Sequence, residues 1–508
     1  MHEQPFLREL EQLSLRIDVS KALFKNTSLR LLDVFVDSMF EFVDQPLLPS
    51  QSNFAPVDEL KETVLVTNIE GKVPNDFPEG VYVRNGPNPL FGGLKSAVSM
   101  FGRSSHIWVE GEGMLHVLYF DKARDGSWTV TYKNKYLRFG KVNKYLSNTN
   151  VFEHSGKYYS VAENHMPQEI NMFTLETLGN WDVNGAWDRP FTSHPKRAPD
   201  TGELVIIGVD AIKPFMQLGI VSADGKRLVH KVDLKFNRCS LTHDIGLTRR
   251  YNVIMDFPLT LDIQRLLKGG PLIKYDKAEY ARIGIMPRYG DADSIKWFQV
   301  ESSSTFHLLN CFEDGHQVVV RACRALDSII PGPDMGVDKF EWFSRRLKQV
   351  ESVDEYSSDS EDGSLFSRCC EWRLNMKTGD VKERYLTRTE FSMDFPMING
   401  DFTGVKNKYG YTQKDGQYEE LIKVDYHKFE QNTFCTGAAF VPKPGSHEED
   451  DGWIITFVHN EDTNMSKAYI IDTRRFTSEP VAKITLPCRV PYGFHGAFMP
   501  ILTISRKI

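Results

Sequence analysis

The sequence predicts a large all-β fold. From about residue 60, short β-like runs are separated by Asp-Gly, Thr-Gly and Gly-Asp pairs, which supply the positive φ that tight hairpin turns require. The clearest examples are ARDGSWTVTY, DTGELVIIGV, SADGKRLVHKV, FEDGHQVVVRA, MKTGDVKERYL and KYGYTQKDG. Few strong helical patterns interrupt these runs, so a β-propeller and stacked β-sandwiches are the two architectures that fit. The repeats are too degenerate in sequence for the blades to be counted.

Composition agrees with one large globular unit and excludes some functions. Hydrophobic residues make up 41% and charged residues 25% of the 508 residues, which is ordinary for a soluble protein with a sizeable core. The net charge is -7 and no basic stripe occurs, so no nucleic-acid partner is expected. The 7 cysteines form no CxxC pair, which favours reduced thiols over a disulfide framework or a cysteine-rich zinc site.

The N-terminal region is predicted to be helical. We expect residues 1–50 to form a helical extension and residues 51–508 to form a single catalytic domain. In SLRLLDVFVDSMFEFVDQ, acidic residues recur every three or four positions beside a broad apolar face. That face would dock on the body of the protein or touch a membrane. Docking is favoured, because membrane-surface helices usually carry Lys and Arg on their polar face.

The sequence also gives expectations about location. Acidic residues near the N-terminus argue against a secretory signal and against a transit peptide, and no long apolar run is present. We therefore expect a cytoplasmic protein that makes at most peripheral contact with membranes. One segment, PLTLDIQRLLKGGPLIKY (258–275), reads as a helical apolar insertion. It could line the mouth of a tunnel or touch a membrane.

Four of the 14 histidines lie in unusual settings. Each follows a small, hydroxylated or aromatic residue and adjoins a strand-like run or a Gly/Pro turn. They are His194 in FTSHPKRAPDTGELV, His243 in SLTHDIGLT, His307 in STFHLLNCFEDG and His495 in PYGFHGAF. The gaps between them exclude a helical metal-binding motif. Taken singly, such a histidine is more often a buried structural side chain than a metal ligand. A shared site would require convergence from separate strands at the centre of a radial β-fold.

These segments resemble the carotenoid cleavage dioxygenase family, which includes apocarotenoid oxygenases, stilbene-cleaving enzymes and the retinal isomerohydrolase. The iron ligands of that family lie in motifs similar to SHPK, LTHDIG, FHLLN and YGFHG. GVYVRNGPNPLF and VEGEGMLH are similar to its N-terminal signatures, although the second replaces the more usual FDGDGM. The resemblance extends from about residue 54 to the C-terminus. It implies a seven-bladed β-propeller with axial iron, capped by helices and long loops that enclose a hydrophobic tunnel.

The resemblance also implies a metal site. Fe(II) would be bound by His194, His243, His307 and His495, the last of these close to the point where the chain completes the propeller. Four neutral imidazoles would leave the metal its full positive charge and, in an octahedral site, two open positions. His165 and His459 are the nearest rivals as ligands. Both adjoin Asn in polar segments, so we expect them at the solvated surface.

Metal-bound histidines usually need outer groups that accept the second ring N–H. In the family three glutamates have this role. Glu163 matches the first, and Asp394 stands at the second position with Glu390 as a fallback. At the third position this chain has Gly437 in CTGAAFVP. If that position is an unfilled space, Gly437→Glu is expected to raise metal affinity.

The function implied by the resemblance is an Fe(II)-dependent non-haem dioxygenase. It would cleave a conjugated C=C bond of a carotenoid or apocarotenoid, the 9,10 and 9',10' bonds being the suggested positions, and give carbonyl products. Its partners would be a hydrophobic polyene and O2, and no oligomeric state is indicated. Three alternatives remain: cleavage of a stilbene or another phenylpropanoid alkene, isomerase-type chemistry, and a non-catalytic lipid-binding propeller. Gly437 favours the last of these and the four intact histidines oppose it.

Overall fold

The computed structural model describes the greater part of the predicted β domain. The described residues are 40–44, 53, 55–88, 95–99, 102–105, 111–137, 147–163, 165–268, 272–326, 367–387, 392–415 and 427–500. The predicted helix over 1–50 is wrong at Phe40–Asp44, which form a β-strand paired with a later strand. The rest of that prediction lies outside the described residues.

The N-terminal strands build one small sheet and most of a large one. They are β1 (Phe40–Asp44), β2 (Val64–Val66), β3 (Ile69–Gly71), β4 (Gly80–Pro87), β5 (Lys95–Ser99), β6 (Gly102–Ser105), β7 (Gly113–Lys122) and β8 (Trp128–Tyr136). The order β1-β5-β6 forms the small sheet, and β2, β8, β7 and β4 are neighbours in the large one. All residues of β4 are buried, as expected for a strand with partners on both sides.

The next stretch of chain forms three sheets of four strands. Their strands are β9 (Asn150–His154), β10 (Lys157–Val161), β11 (Gln168–Ile170), β12 (Thr177–Asn180), β13 (Lys196–Arg197), β14 (Leu204–Val209), β15 (Met216–Val221), β16 (Leu228–Asp233), β17 (Gly246–Leu247), β18 (Tyr251–Asp256), β19 (Leu259–Leu261), β20 (Ile273–Tyr275), β21 (Ala281–Pro287) and β22 (Lys296–Val300). The sheets are β9–β12, β13–β16 and β17-β18-β21-β22. Strands β19 and β20 form a separate hairpin.

That hairpin corresponds to the predicted insertion at 258–275. It contains the helix α1 (Ile263–Leu267), so the helical prediction is correct for this short segment only. Strands β19 and β20 flank the helix and pair with each other. The insertion is therefore a hairpin with a short helix between its strands.

The C-terminal strands complete the fold. They are β23 (Leu308–Asp314), β24 (Gln317–Ala325), β25 (Ser367–Asn375), β26 (Val381–Tyr385), β27 (Ser392–Met397), β28 (Tyr411–Asp415), β29 (Thr433–Pro442), β30 (Gly452–Asn460), β31 (Met465–Asp472), β32 (Ala482–Thr485) and β33 (Gly496–Pro500). Short 3-10 helices span Ala292–Ser294, Gly400–Phe402 and Thr473–Arg475. Strands β23–β26 form one sheet, β27 and β28 another, and β29–β32 most of a third.

Apolar clusters join each sheet to the next in a closed cycle. Buried residues of β4, β7 and β8 pack against those of β29–β32 on one side and against β9–β12 on the other. Further clusters join β10 to β14, β14 to β18 and β21, and β18 to β24 and β25. The β27–β28 pair closes the cycle, because it packs against β24–β25 and against β30–β31. This radial arrangement is a β-propeller, which confirms the predicted fold class. The count of seven blades stays a prediction.

Both ends of the described chain contribute to closing the ring. Strand β3, from the N-terminal part, pairs antiparallel with β32 and completes the sheet of β29–β32. Strand β33, from the C-terminal part, pairs antiparallel with β4 and completes the first large sheet. We call the boundary between these two sheets, with its β3–β32 and β4–β33 pairs, the seam. Each of the two sheets contains strands from both ends of the described chain.

The predicted hairpins are present. In FEDGHQVVVRA, β23 ends at Asp314 and β24 begins at Gln317, with Gly315 at φ 61° in the two-residue turn between them. A left-handed φ at this position is what the Asp-Gly signal predicts. Four of the other quoted segments contain turn residues and the second strand of a paired hairpin, namely β8, β14, β16 and β26. KYGYTQKDG contains β28, and its last residue lies outside the described residues.

Closure of the ring makes its stability depend on the seam. Ile484 on β32 is fully buried and faces Ile69 of β3. Ile484→Ala is expected to lower the free energy of unfolding by about 2–5 kcal/mol, because it leaves a cavity in this cluster. Val229→Ala is the control, since Val229 on β16 is 47% exposed. Equal denaturant midpoints for the two variants would contradict a packed seam.

Candidate metal centre

The four predicted histidines converge on one point. His194, His243, His307 and His495 each offer a ring nitrogen, and these atoms all lie within 4.8 Å of one another. Each histidine directly precedes, or lies within three residues of, the first residue of β13, β17, β23 or β33. Each of these strands is an edge strand of its own sheet. The histidines therefore approach from four different sheets at the centre of the ring.

The spacing of the ring nitrogens suits a single metal ion. The Nε2 atoms of His194 and His243 are 3.1 Å apart, and those of His307 and His495 are 3.2 Å apart. Metal–nitrogen bonds of about 2.1 Å place neighbouring ligand nitrogens about 3 Å apart. The four imidazoles could therefore hold one metal ion through their Nε2 atoms.

Two carboxylates fix the outer nitrogens of this group. Glu163 follows β10 and its Oε1 contacts Nδ1 of His243. Asp394, on β27, places Oδ1 2.8 Å from Nδ1 of His307. A carboxylate at Nδ1 holds the proton there and directs the Nε2 lone pair inward, as a metal ligand requires. The fallback residue, Glu390, lies outside the described residues.

Burial at the centre of the propeller opposes protonation of two of the four imidazole rings. Burial, together with the neighbouring imidazoles, holds the pKa of His194 and of His495 well below the usual histidine range. Burial also acts to lower the pKa of His243, but the Glu163 carboxylate outweighs it and raises that pKa overall. The arrangement thus keeps His194 and His495 neutral, which is the state in which imidazole binds metal.

Asp244 links three of the histidine segments, a role that was not predicted from the sequence. This buried carboxylate accepts hydrogen bonds from Lys196 at one side of the site and from the backbone N–H of Leu308 at the other (2.9 Å). Thr192 strengthens the link by donating to the carbonyl of His243 (2.5 Å). The signal available in the sequence was the position of Asp244 directly after His243 in LTHDIG.

Two phenylalanines form apolar walls beside the histidines, and these were also missed. The ring of Phe306 stacks on His243, with the ring centroids 4.9 Å apart and the planes 19° apart. The ring of Phe395 lies 5.1 Å from that of His307 and 5.3 Å from that of His495. Phe395 has a left-handed φ of 52° and its N–H donates to Asp394. Such a conformation is uncommon for a bulky residue and is found where surrounding structure imposes it.

His495 is positioned by backbone instead of a carboxylate. Thr436 Oγ1 donates to the carbonyl of Gly493 (2.7 Å) and accepts from its N–H (3.0 Å). The carbonyl of His495 accepts from the N–H of Asn85 on β4 (3.1 Å). No carboxylate within the described part of the chain pairs with His495.

The expectation of an unfilled space at Gly437 is wrong. Gly437 has φ 68°, and a Cβ built on it would lie 2.1 Å from Cγ of Arg84. The Arg84 side chain therefore occupies the space into which a side chain at this position would extend. Gly437→Glu is accordingly not expected to raise metal affinity.

The two rival histidines are not surface residues, contrary to expectation. His165 is 5% exposed and His459 is 1% exposed. His165 Nδ1 contacts the carbonyl of Met166, and His459 Nδ1 lies 2.9 Å from Ser466 Oγ. Neither belongs to the four-histidine group. Both are buried structural histidines.

The fold and the site together define the class of this protein, which is a β-propeller with four histidines at its centre. The family model described as RPE65, retinal pigment epithelial membrane protein, matches residues 54–500. The chain belongs to this family. The predicted kinship with carotenoid cleavage dioxygenases is confirmed by the relatives that match along nearly the whole chain.

Curated relatives carry related names. The chain is 29% identical over 546 residues to carotenoid 9,10(9',10')-cleavage dioxygenase 1 of Pisum sativum, with 94% of each chain covered. It is 24% identical to isoeugenol monooxygenase of Pseudomonas nitroreducens, covering 85% of this chain and 94% of that one.

Solved structures share the fold. Lignostilbene dioxygenase of Pseudomonas brassicacearum has a TM-score of 0.73 at 22% identity, covering 90% of this chain and 100% of that one. Cobalt-substituted ACO of Synechocystis has a TM-score of 0.72 at 19% identity, covering 89% of this chain and 99% of that one.

The tight fit at Gly437 can be tested with alanine. Gly437→Ala is expected to lower the free energy of unfolding by about 1–2 kcal/mol for the left-handed backbone and by about 1–3 kcal/mol more for the overlap with Arg84. Gly445→Ala is the matched control, because Gly445 has φ 77° and nothing within 4 Å of the added Cβ. Denaturant midpoints measure the difference. Equal losses in the two variants would show that the contact with Arg84 is unimportant.

Proposed function

We propose that this protein is an Fe(II)-dependent dioxygenase that cleaves a conjugated C=C bond of a carotenoid or apocarotenoid. The observation that carries the proposal is the convergence of four histidines from four sheets within 4.8 Å. Imidazole is a suitable ligand for iron, zinc, copper and nickel, so the donor set permits iron, and membership of the family favours it. In the balanced reaction one alkene and one O2 give two carbonyl products.

The proposed role of the chain is to hold the metal and to keep the site apolar. The chemistry that Fe(II) supplies when bound is the activation of dioxygen for reaction with an electron-rich double bond. Glu163 and Asp394 would fix the proton on the outer nitrogen of their histidines. Phe306 and Phe395 would exclude water and pack against the polyene. These roles require neither a charged co-substrate nor an acid–base residue.

The name of the pea relative suggests the 9,10 and 9',10' bonds as the positions of cleavage. A second candidate substrate class is the phenylpropanoid alkenes. The match to isoeugenol monooxygenase favours it, since isoeugenol is such an alkene. Assays with carotenoids and with phenylpropanoid alkenes distinguish these two substrate classes. A non-catalytic lipid-binding propeller would turn over neither.

The function is tested by loading the protein with Fe(II) and supplying carotenoids, apocarotenoids, stilbenes and isoeugenol under labelled oxygen. We expect paired aldehydes from a carotenoid, identified by mass, and about one iron bound per chain. His243→Ala should reduce iron binding and abolish cleavage, because it removes one ligand and leaves Glu163 unpaired. His447→Ala, at an exposed position, is the control and should do neither. Full iron occupancy and turnover in His243→Ala would remove that residue from the site.

We further propose that the protein is cytoplasmic and that it contacts membranes through the β19–β20 hairpin to collect its apolar substrate. No helix among the described residues is long and apolar enough to cross a membrane. On α1, Leu267 is 79% exposed and Ile263 is 40% exposed, four residues apart on one face. The hairpin pairs with residues 239–241, which lead directly to His243, so it lies at the histidine end of the propeller.

Membrane contact is tested with Ile263→Ser combined with Leu267→Ser. Each apolar side chain that enters lipid contributes roughly 1.5–3 kcal/mol. The double variant should therefore bind liposomes at least about tenfold more weakly and cleave liposomal substrate more slowly. It should still cleave a detergent-solubilised short apocarotenoid at the normal rate. Leu178→Ser, at a position 56% exposed on β12, is the control. Equal losses on both substrates would indicate a folding or lid role instead.

A further inference from the structure

Arg84 is a buried cation with two hydrogen-bond donors that have no partner among the described residues. It lies in the middle of β4 and is 1% exposed. Its Nε and Nη2 are both buried and neither has a hydrogen-bond partner. No carboxylate among the described residues forms an ion pair with it. Burying a guanidinium in this way is costly, and buried donors of this kind in folded proteins are normally satisfied by protein, water or an ion.

A second buried arginine, Arg324, has carboxylate partners and serves as a comparison. Arg324 is equally buried, and its Nη1 donates to Glu383 at 2.7 Å while its Nη2 donates to Glu301 at 2.5 Å. Burial acts to lower the pKa of Arg324, but these contacts, above all Glu383, raise it overall. For Arg84, burial prevails and lowers the pKa to about 10, so the side chain remains charged at neutral pH. The charge of Arg84 is thus left uncompensated.

The surroundings of Arg84 are polar, but no carboxylate of the described part of the chain bears on its charge. The hydroxyls of Tyr82 and Tyr132 are the nearby groups that act to raise the pKa of Arg84. Both are already engaged, the first as a donor to the carbonyl of Gly437 (2.6 Å) and the second with Nδ1 of His116 (2.6 Å). Burial and the charge of Arg84 together hold the pKa of His116 well below its usual range, so that ring stays neutral and adds no second positive charge.

Three glycines enclose the Arg84 side chain. A Cβ added at Gly86, Gly437 or Gly493 would lie 2.3, 2.1 or 1.6 Å from an Arg84 atom. The backbone therefore approaches the arginine more closely than any other residue type would allow. A ligand at the unpaired donors must be small, because the glycine backbones crowd the rest of this buried side chain. A single guanidinium matches a single negative charge.

We propose that Arg84 forms a buried binding site for a small monoanion of the halide class, with Nε and Nη2 as its donors. The site lies at the seam, because Gly493 and Gly437 belong to the segments that position His495, and β4 pairs with β33. The bound anion therefore stabilises closure of the ring. The donors of this site are not part of the four-histidine group, and the proposal does not rest on the proposed dioxygenase function.

The first test uses metal-free protein and thermal unfolding at constant ionic strength. Replacing gluconate, which is too large for the site, with chloride or bromide should raise the Tm of the wild-type chain by about 2–5 °C in a saturable manner. Arg84→Met should lose this increase. Arg250→Met is the control and should keep it, because Arg250 is a surface residue paired with Glu313. A wild-type Tm that is the same in chloride and gluconate would overturn the proposal.

A second measurement does not depend on the variant folding. Crystals of the wild-type chain grown in bromide should give an anomalous peak within hydrogen-bond distance of Arg84 Nε or Nη2. The same crystals grown in gluconate should lack it. An ordered water at that place in both media, or a carboxylate from a segment outside the described residues, would refute the anion site.

Discussion

The buried carboxylate of Asp244 is the interaction on which the centre of the propeller depends. One oxygen lies 3.0 Å from Lys196 Nζ, and the other accepts from the N–H of Leu308. These partners come two residues after His194 and directly after His307, while Asp244 itself follows His243. A single side chain therefore fixes the relative positions of three segments from three sheets. Because Asp244 is buried, losing it would leave the partly exposed Lys196 ammonium without this partner and the backbone N–H of Leu308 without its acceptor.

The fourth segment is held by another means. His495 relies on Thr436, on the exchange of backbone hydrogen bonds with β4, and on the close approach of Gly437 and Gly496. The backbone bonds to Asn85 form only when β33 pairs with β4, and the contacts of Thr436 and Gly437 join the same segment to β29. The four-histidine site is therefore complete only when the ring is closed, whereas the Asp244 cluster belongs to consecutive sheets and does not need the seam.

Sequence reasoning predicted the features that depend on local pattern. The Asp-Gly turns predicted the hairpins, and the settings of the histidines, together with the family resemblance, predicted which four would meet. It failed where the outcome depends on long-range packing. His459 adjoins a polar turn in sequence, yet strand pairing buries it. The strand at Phe40–Asp44 has an amphipathic helical pattern, but pairing with β5 decides its structure. The space beside Gly437 could not be foreseen either, because Arg84, which fills it, is distant in sequence.

The different supports of the histidines have a thermodynamic consequence. A metal ion that binds all four imidazoles would bind only the closed ring, so metal affinity and closure are linked, and each favours the other. His243 and His307 owe their orientation to Glu163 and Asp394 within the folded centre, but His495 owes its orientation to the seam itself. Weakening the seam therefore acts on metal binding through His495 first. The close packing around Gly493 and Gly437 is therefore part of the support of His495, with which no carboxylate among the described residues pairs.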